Sequence, residues 1–150
     1  MAWHTVCLPG STHALALLWR DREENAWTKA RSLTLADDTG SFPPGAVRIV
    51  NVSPGPVQVA YGEEGFELGS GKVEMRGGKG VALVQVGLEI KAENDRGRMV
   101  RVFSGSITQD AGERTNVIIY RADGERPRRP VKVYLRPENS GKTLAPVRPR

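Results

Sequence analysis

Only one cysteine, Cys7, occurs in the 150 residues. An internal disulfide and a cysteine-based zinc site are therefore both excluded. Histidine is nearly as scarce: His4 and His13 are the two present, and both precede the first clear strand pattern. Aromatic residues make up 6% of the chain, which leaves little for stacking surfaces. No run of about 18 apolar residues exists, so no helix of the sequence is suited to spanning a membrane. Glycine follows no fixed period, which excludes collagen. In contrast, 17 glycines and 10 prolines exceed the average share of about 12% and point to many turns. Apolar residues reach 39%, below the average but enough for a core, and the length suits one ordinary domain.

The formal charge of +5 and the pI near 9.7 invite a nucleic-acid reading, but the position of the charge matters more than its sum. Residues 1–120 carry 13 basic and 14 acidic side chains, whereas residues 121–150 carry 9 basic and 3 acidic. The body is thus balanced, and the basicity belongs to the C-terminal fifth. The first ten residues have neither the positive n-region nor the apolar h-region of a signal peptide.

Alternation of apolar and polar residues is the main organising signal. Val84, Val86, Leu88, Ile90 and Ala92 alternate with Gln85, Gly87, Glu89, Lys91 and Glu93, the period of a strand with one buried face. Asn94-Asp95-Arg96-Gly97 is turn chemistry, and Arg98–Ser104 returns as a second strand. Ala46–Asn51 reads as a strand that Ser53-Pro54-Gly55-Pro56 breaks, after which Val57, Val59 and Tyr61 resume the alternation. Gly62–Gly65 reads as a turn, and a short segment, Lys72–Arg76, lies between glycine clusters. Thr115–Arg121 is a buried-looking strand, with Tyr120 on the core side, and Val131–Leu135 completes a hairpin with it. Residues 12–35 read two ways. Leu15, Trp19, Ala26, Ala30 and Leu33 fall on one helical stripe with Thr12 as N-cap. Alternatively, Ala14–Arg20 and Ala30–Leu35 form a hairpin, and an internal similarity favours it. Leu17-Leu18-Trp19-Arg20 followed by Leu33-Thr34-Leu35 parallels Ile118-Ile119-Tyr120-Arg121 followed by Val133-Tyr134-Leu135.

Candidate chemistry is sparse. His4 and Cys7 are three residues apart, but a Cys-His site needs a base held rigidly against its nucleophile. A copper site would require His4, His13, Cys7 and a methionine around one ion, and two of these crowd the N-terminus. Ser140-Gly141-Lys142-Thr143 resembles the end of a phosphate-binding loop. However, Arg136 stands where the first glycine is required, and Pro146 prevents the following helix. The acidic pairs Glu23-Glu24, Asp37-Asp38 and Glu63-Glu64 lack the separation a glycosidase needs. Asn51-Val52-Ser53 fits the glycosylation pattern but is common by chance. What remains is basic: Arg126, Arg128, Arg129, Lys132 and Arg136 on or beside the last hairpin, then Lys142, Arg148 and Arg150 on a tail containing Pro146 and Pro149.

Val47-Arg48-Ile49-Val50-Asn51-Val52-Ser53, with Val57-Gln58-Val59, Arg101–Ser106 and Thr115–Arg121, resembles uncharacterised β-sandwich domains of bacterial envelope-associated or exported proteins. The resemblance spans roughly residues 43–135 and implies no catalytic residue. Such domains begin with further strands that have no counterpart before Trp3, as a chain starting inside a domain would show. An exported or envelope setting is therefore favoured over a cytoplasmic one.

These readings define an expectation. The fold is all-β, an Ig-like antiparallel β-sandwich over residues 1–135, either built from two similar halves or divided into two β lobes joined near 41–45. An extended or disordered tail covers 136–150. The expected role is a non-enzymatic structural or protein–protein interaction and assembly module, without metal or cofactor. Its partner is another protein or further copies of itself, and the tail adds to a sheet edge or wraps a neighbour. The alternative is nucleic acid or another anionic partner, held by Arg126, Arg128, Arg129, Lys132, Arg136, Lys142, Arg148 and Arg150.

Overall fold

The computed structural model describes residues 4–21, 27–78 and 82–139. Among these there are ten strands, one short 3-10 turn (Trp27–Lys29) and no α-helix. The chain divides into two compact units, Met1–Pro43 and Pro44–Arg150.

The first unit is built on one antiparallel hairpin of β1 (Ala14–Arg20) and β2 (Ala30–Ala36), with Ala14 opposite Ala36 and Arg20 opposite Ala30. The hairpin reading of residues 12–35 therefore holds over the helical one. Its physical basis is the period of two, which puts Leu15, Leu17 and Trp19 on the same face as their partners Leu35, Leu33 and Arg31. Asp37 N–H donates to His13 O at 2.8 Å and closes the open end. Asp38 then organises the exit. Its Oδ1 accepts from the backbone N–H of Gly40 (3.0 Å) and Ser41 (2.9 Å), and its Oδ2 accepts from the Ser41 hydroxyl. These bonds, led by the Ser41 N–H, hold the carboxyl below its ordinary pKa. The N-terminal stretch is tied to β2 through His4 Nε2 and Ser32 Oγ (2.9 Å) and through the Thr34 hydroxyl, which donates to Cys7 O.

The second unit has two four-stranded sheets. One has the order β10 (Val131–Asn139), β9 (Glu113–Arg121), β3 (Ala46–Asn51), β6 (Val73–Gly77). The other has the order β5 (Glu64–Leu68), β4 (Val57–Tyr61), β7 (Val84–Glu93), β8 (Met99–Gln109). Their inward residues form one apolar cluster. Val47, Ile49, Val117, Ile119 and Val131 come from the first sheet, and Val57, Val59, Leu88, Ile90 and Ile107 from the second. The arrangement is sandwich-like. Burying each such side chain stabilises by about 1.5–3 kcal/mol.

The expectation of purely antiparallel sheets is corrected by the first sheet, where β3 runs parallel to β9, with Val47 opposite Thr115 and Asn51 opposite Ile119. A parallel neighbour requires a long crossover, and β4 to β8, most of which form the other sheet, supply it. Two further departures follow from edges. β5 begins at Glu64, inside the Gly62–Gly65 segment that reads as a turn; its sequence Glu-Gly-Phe-Glu-Leu has little strand composition, and the Gly62 turn and the ladder to β4 impose it. β10 continues past Leu135 to Asn139 and takes in Pro137. Ala122 N–H donates to Pro130 O at 3.0 Å. Counting from that hydrogen-bonded pair, Pro137 and Thr115 form a non-hydrogen-bonded pair. The proline nitrogen thus faces away from β9 on an edge strand, where no donor is required.

Buried polar residues fix joins both between the sheets and between neighbouring strands. Asn51 is fully buried: its Nδ2 donates to Gly55 O and Leu68 O, and its Oδ1 accepts from Ser53 N–H and the Ser53 hydroxyl. The glycosylation pattern here is therefore a buried scaffold for the Pro54–Pro56 turn. Gln109 Nε2 donates to Gly45 O (3.3 Å), crossing from β8 to the start of β3. Arg48, 2% exposed, donates from Nε to Asn116 Oδ1 at 2.8 Å, between strands that face each other in register.

Candidate functional site

The β9–β10 hairpin carries the basic residues, and its connection is stiffened by Pro127 and Pro130 and turned by Gly124 at φ +97°. The loop folds toward β8, where Arg129 Nη1 donates to Val102 O at 3.4 Å. That carbonyl belongs to a β-bulge. Lys91 faces Arg101 and Ile90 faces Phe103, so Val102 is an extra residue without a partner on β7. The bulge turns Val102 into the core cluster while Phe103 also packs against it. The Phe103 ring lies over Gly105, whose absent side chain leaves it room: a Cβ there would stand 3.1 Å from the ring.

Between β8 and the hairpin lies a groove of about 460 Å³. Its floor is apolar, made by Val102, Ala122, Val131 and Val133, and Phe103 and Tyr120 contribute aromatic surface. Its rim carries Arg128, Arg129 and Lys132. One carboxylate lines it, Asp123, 4.0 Å from Lys132 Nζ, and both side chains are largely exposed, so the pair is worth well under about 1 kcal/mol. The groove thus combines an apolar floor with three cationic side chains, of which Arg129 is bonded to Val102 O and Lys132 stands beside Asp123. Among the described residues, no histidine, cysteine or second carboxylate lines it, and Asp123 faces a cation rather than a second acid.

The structure therefore brings together Arg128, Arg129 and Lys132 and places Arg126 and Arg136 apart from them. Arg126 is exposed on the loop away from the groove lining. Arg136 points its Nε at Glu138 Oε1 (3.1 Å), and Glu138 Oε2 also accepts from Arg114 Nε and Nη2 at 3.1 Å. Arg136 is thus committed to a ladder of charges along β10. Lys142, Arg148 and Arg150 lie outside the described residues. Tyr120 is half-buried at the groove, and the core positions of β9 belong to Val117 and Ile119. Phe103 was missed as a groove residue because it is 17 positions earlier in the chain and only the bulge aims it there.

A second polar cluster closes the far side of the sandwich. Arg76 on β6 pairs with Glu74 and with Glu64 Oε2 (3.0 Å), and its guanidinium sits 4.6 Å from the Phe66 ring centroid. The Glu74 hydrogen bond, with the Glu64 charge behind it, raises the Arg76 pKa. Tyr61 lies nearby with its hydroxyl buried and unpartnered among the described residues. Burial pushes its pKa up to about 12, against a smaller opposite pull from Arg76. His4 and Cys7 do not meet as a pair, since His4 is held at Ser32 and Cys7 is exposed. Among the described residues, no three His, Cys, Asp or Glu side chains are grouped as metal ligands. No helix of the described residues is long and apolar enough to cross a membrane.

Neither protein-family models nor curated proteins match this sequence.

Proposed function

We propose that this chain is a non-catalytic interaction module, an Ig-like sandwich that contacts a protein partner through the groove between β8 and the β9–β10 hairpin. The observation that carries the reading is the pairing of an apolar floor with a cationic rim formed by Arg128, Arg129 and Lys132. Such a surface fits a segment that presents acidic residues beside a large apolar one. Apolar contact supplies affinity there, and the charges supply rate and register. Strands hold the floor rigid while the loop supplies the variable chemistry, the usual division of labour in sandwiches.

A second reading is supported by Phe103 and Tyr120 beside the arginines, a combination used to stack and neutralise single-stranded nucleic acid. One assay separates the two. Fluorescence anisotropy is read with a labelled peptide of alternating glutamate and leucine and with a labelled oligothymidine. The peptide is expected to bind, and Arg128→Glu with Lys132→Glu to weaken it at least about tenfold. Binding of the oligonucleotide alone, falling steeply with salt, would replace the protein-partner reading by the nucleic-acid one. Binding of neither probe would remove the groove as a contact site.

A further inference from the structure

We propose that copies of this chain associate head to tail, the β5 edge of one copy adding to the β8 edge of the next to continue a single antiparallel sheet. The inference rests on the interaction-module reading and shares Phe103 and Arg129 with the groove, but its ladder contacts are carried by Gly65, Glu67, Arg101 and Ser104.

The first support is topological. In the sheet β5-β4-β7-β8 every neighbouring pair is antiparallel. Four such strands leave the two edges running in opposite directions. A second copy placed beside the first by translation across the strands therefore meets β8 with an antiparallel β5. The other sheet lacks this property. Its β3–β9 pair is parallel, so β10 and β6 run the same way and translation would pair them parallel, the weaker ladder.

The second support is the row of residues that translation brings together. Tracing the register across the sheet gives Glu67–Gln58–Lys91–Arg101 in one row, Phe66–Val59–Ile90–Phe103 in the next, and Gly65–Ala60–Glu89–Ser104 in the third. With no shift along the strands, Glu67 of one copy faces Arg101 of its neighbour, Phe66 faces Phe103, and Gly65 faces Ser104. Glu67 and Arg101 are exposed. Phe66 and Phe103 are half-buried, each packed against the core cluster from its own edge. Opposite charges and paired aromatics directly across a ladder are the pairs that stabilise sheets.

The third support is hydrogen-bond phase. Gly62 N–H donates to Gly87 O at 2.8 Å, so odd-numbered residues of β7 turn their backbone groups to β4 and even-numbered ones to β8. It follows that Phe103 and Gly105 of β8 bond to β7, while Arg101 and Ser104 point theirs outward. On β5, Glu64, Phe66 and Leu68 bond to β4, and Gly65 and Glu67 point outward. The rows that meet across the proposed contact, Glu67 with Arg101 and Gly65 with Ser104, are thus the rows with outward N–H and C=O on both strands. The extra residue between them, Val102, has its carbonyl bonded by Arg129, so the bulge brings no unanswered acceptor into the contact. The contact joins unlike surfaces and does not close on itself. The product is an open chain of copies, each rotated from the last by the accumulated strand twist.

Light scattering of the full chain over a concentration series tests this. The average mass is expected to rise with concentration. Glu67→Arg and Arg101→Glu should each weaken association about tenfold, and the double variant, which inverts the pair, should restore it. Gly65→Pro, which removes an outward N–H on an edge strand, should abolish assembly without moving the thermal midpoint. A mass that stays at one chain up to about 1 mM, or undiminished assembly by Glu67→Arg, overturns the proposal. Arg128→Glu with Lys132→Glu should leave the mass unchanged while losing the acidic peptide. A monomer that still binds that peptide ends the head-to-tail contact and leaves the groove reading standing, whereas a monomer that binds nothing ends both.

Discussion

Gly77, the last residue of β6, sits at φ +71° where three segments converge. A Cβ at this position would stand 2.0 Å from Gln109 Nε2 and 2.6 Å from Gly45 O. Gly77→Ala therefore meets two separate costs. A left-handed backbone in an L residue costs about 1–2 kcal/mol. The Gln109 amide must also swing away and give up its bond to Gly45 O, which leaves a buried acceptor and costs about 1–3 kcal/mol more. The Gly45 carbonyl is backbone, in a segment anchored by the Gly45 N–H donating to Glu113 O at 2.8 Å, so it yields little. Gly71 provides the control, since it has φ +74° and nothing within 4 Å of its would-be Cβ. Gly71→Ala carries the backbone cost alone, and the gain from a less flexible unfolded chain is common to both variants. Gly77→Ala should thus be less stable than Gly71→Ala by about 2 kcal/mol, or roughly 8 °C in midpoint. Urea unfolding followed by far-ultraviolet circular dichroism, with equal slopes, measures the difference. Equal stabilities of the two variants would refute the close approach of β6, Gly45 and Gln109.

Other expectations can be checked the same way. Tyr61, with a folded pKa raised to about 12 from 10.0, favours folding fully below pH 10; between pH 10 and 12 the unfolded chain ionises first and stability falls by about 1.4 kcal/mol per pH unit. Tyr61→Phe should flatten that alkaline loss when pH-dependent unfolding curves of the two proteins are compared. Asn51→Ala strands the buried Ser53 N–H and takes the second donor from Gly55 O and Leu68 O, which keep the Ser53 hydroxyl and the β4 ladder, and should cost about 1–3 kcal/mol in denaturant titrations. Ending the chain after Leu135 removes the ladder positions opposite Asn116 and Arg114 and the Glu138 carboxylate. It should be less stable than ending it after Asn139 by about 2–4 kcal/mol, read as a difference in thermal midpoint.

Alternation and turn chemistry were enough to locate much of the fold in the sequence. The period of two in Val84–Glu93 and the proline-glycine break after Asn51 mark β7, β3 and β4 with their observed bounds. The repeated pattern at 17–35 and 118–135 marks two hairpins that form. These signals are local, because a strand with one wet face writes its geometry into neighbouring residues. Pairing partners are not local. Nothing adjacent to Val47 announces Thr115 as its parallel neighbour, and the bulge that aims Phe103 into the groove exists only because β7 and β8 fall out of step by one residue.

The basic residues divide along the same line. The sequence by itself determined that positive charge gathers after residue 120, that strands alternate with turns, and that a single cysteine excludes an internal disulfide. The tertiary structure decided which charges act together. Arg136 is bound into the ladder with Glu138, whereas Arg128, Arg129 and Lys132 converge over an apolar floor assembled from β8, β10 and the residue that follows β9. The physical reason is range. Backbone propensity and periodicity act over a few residues, whereas a groove is made by core packing between strands far apart in the chain.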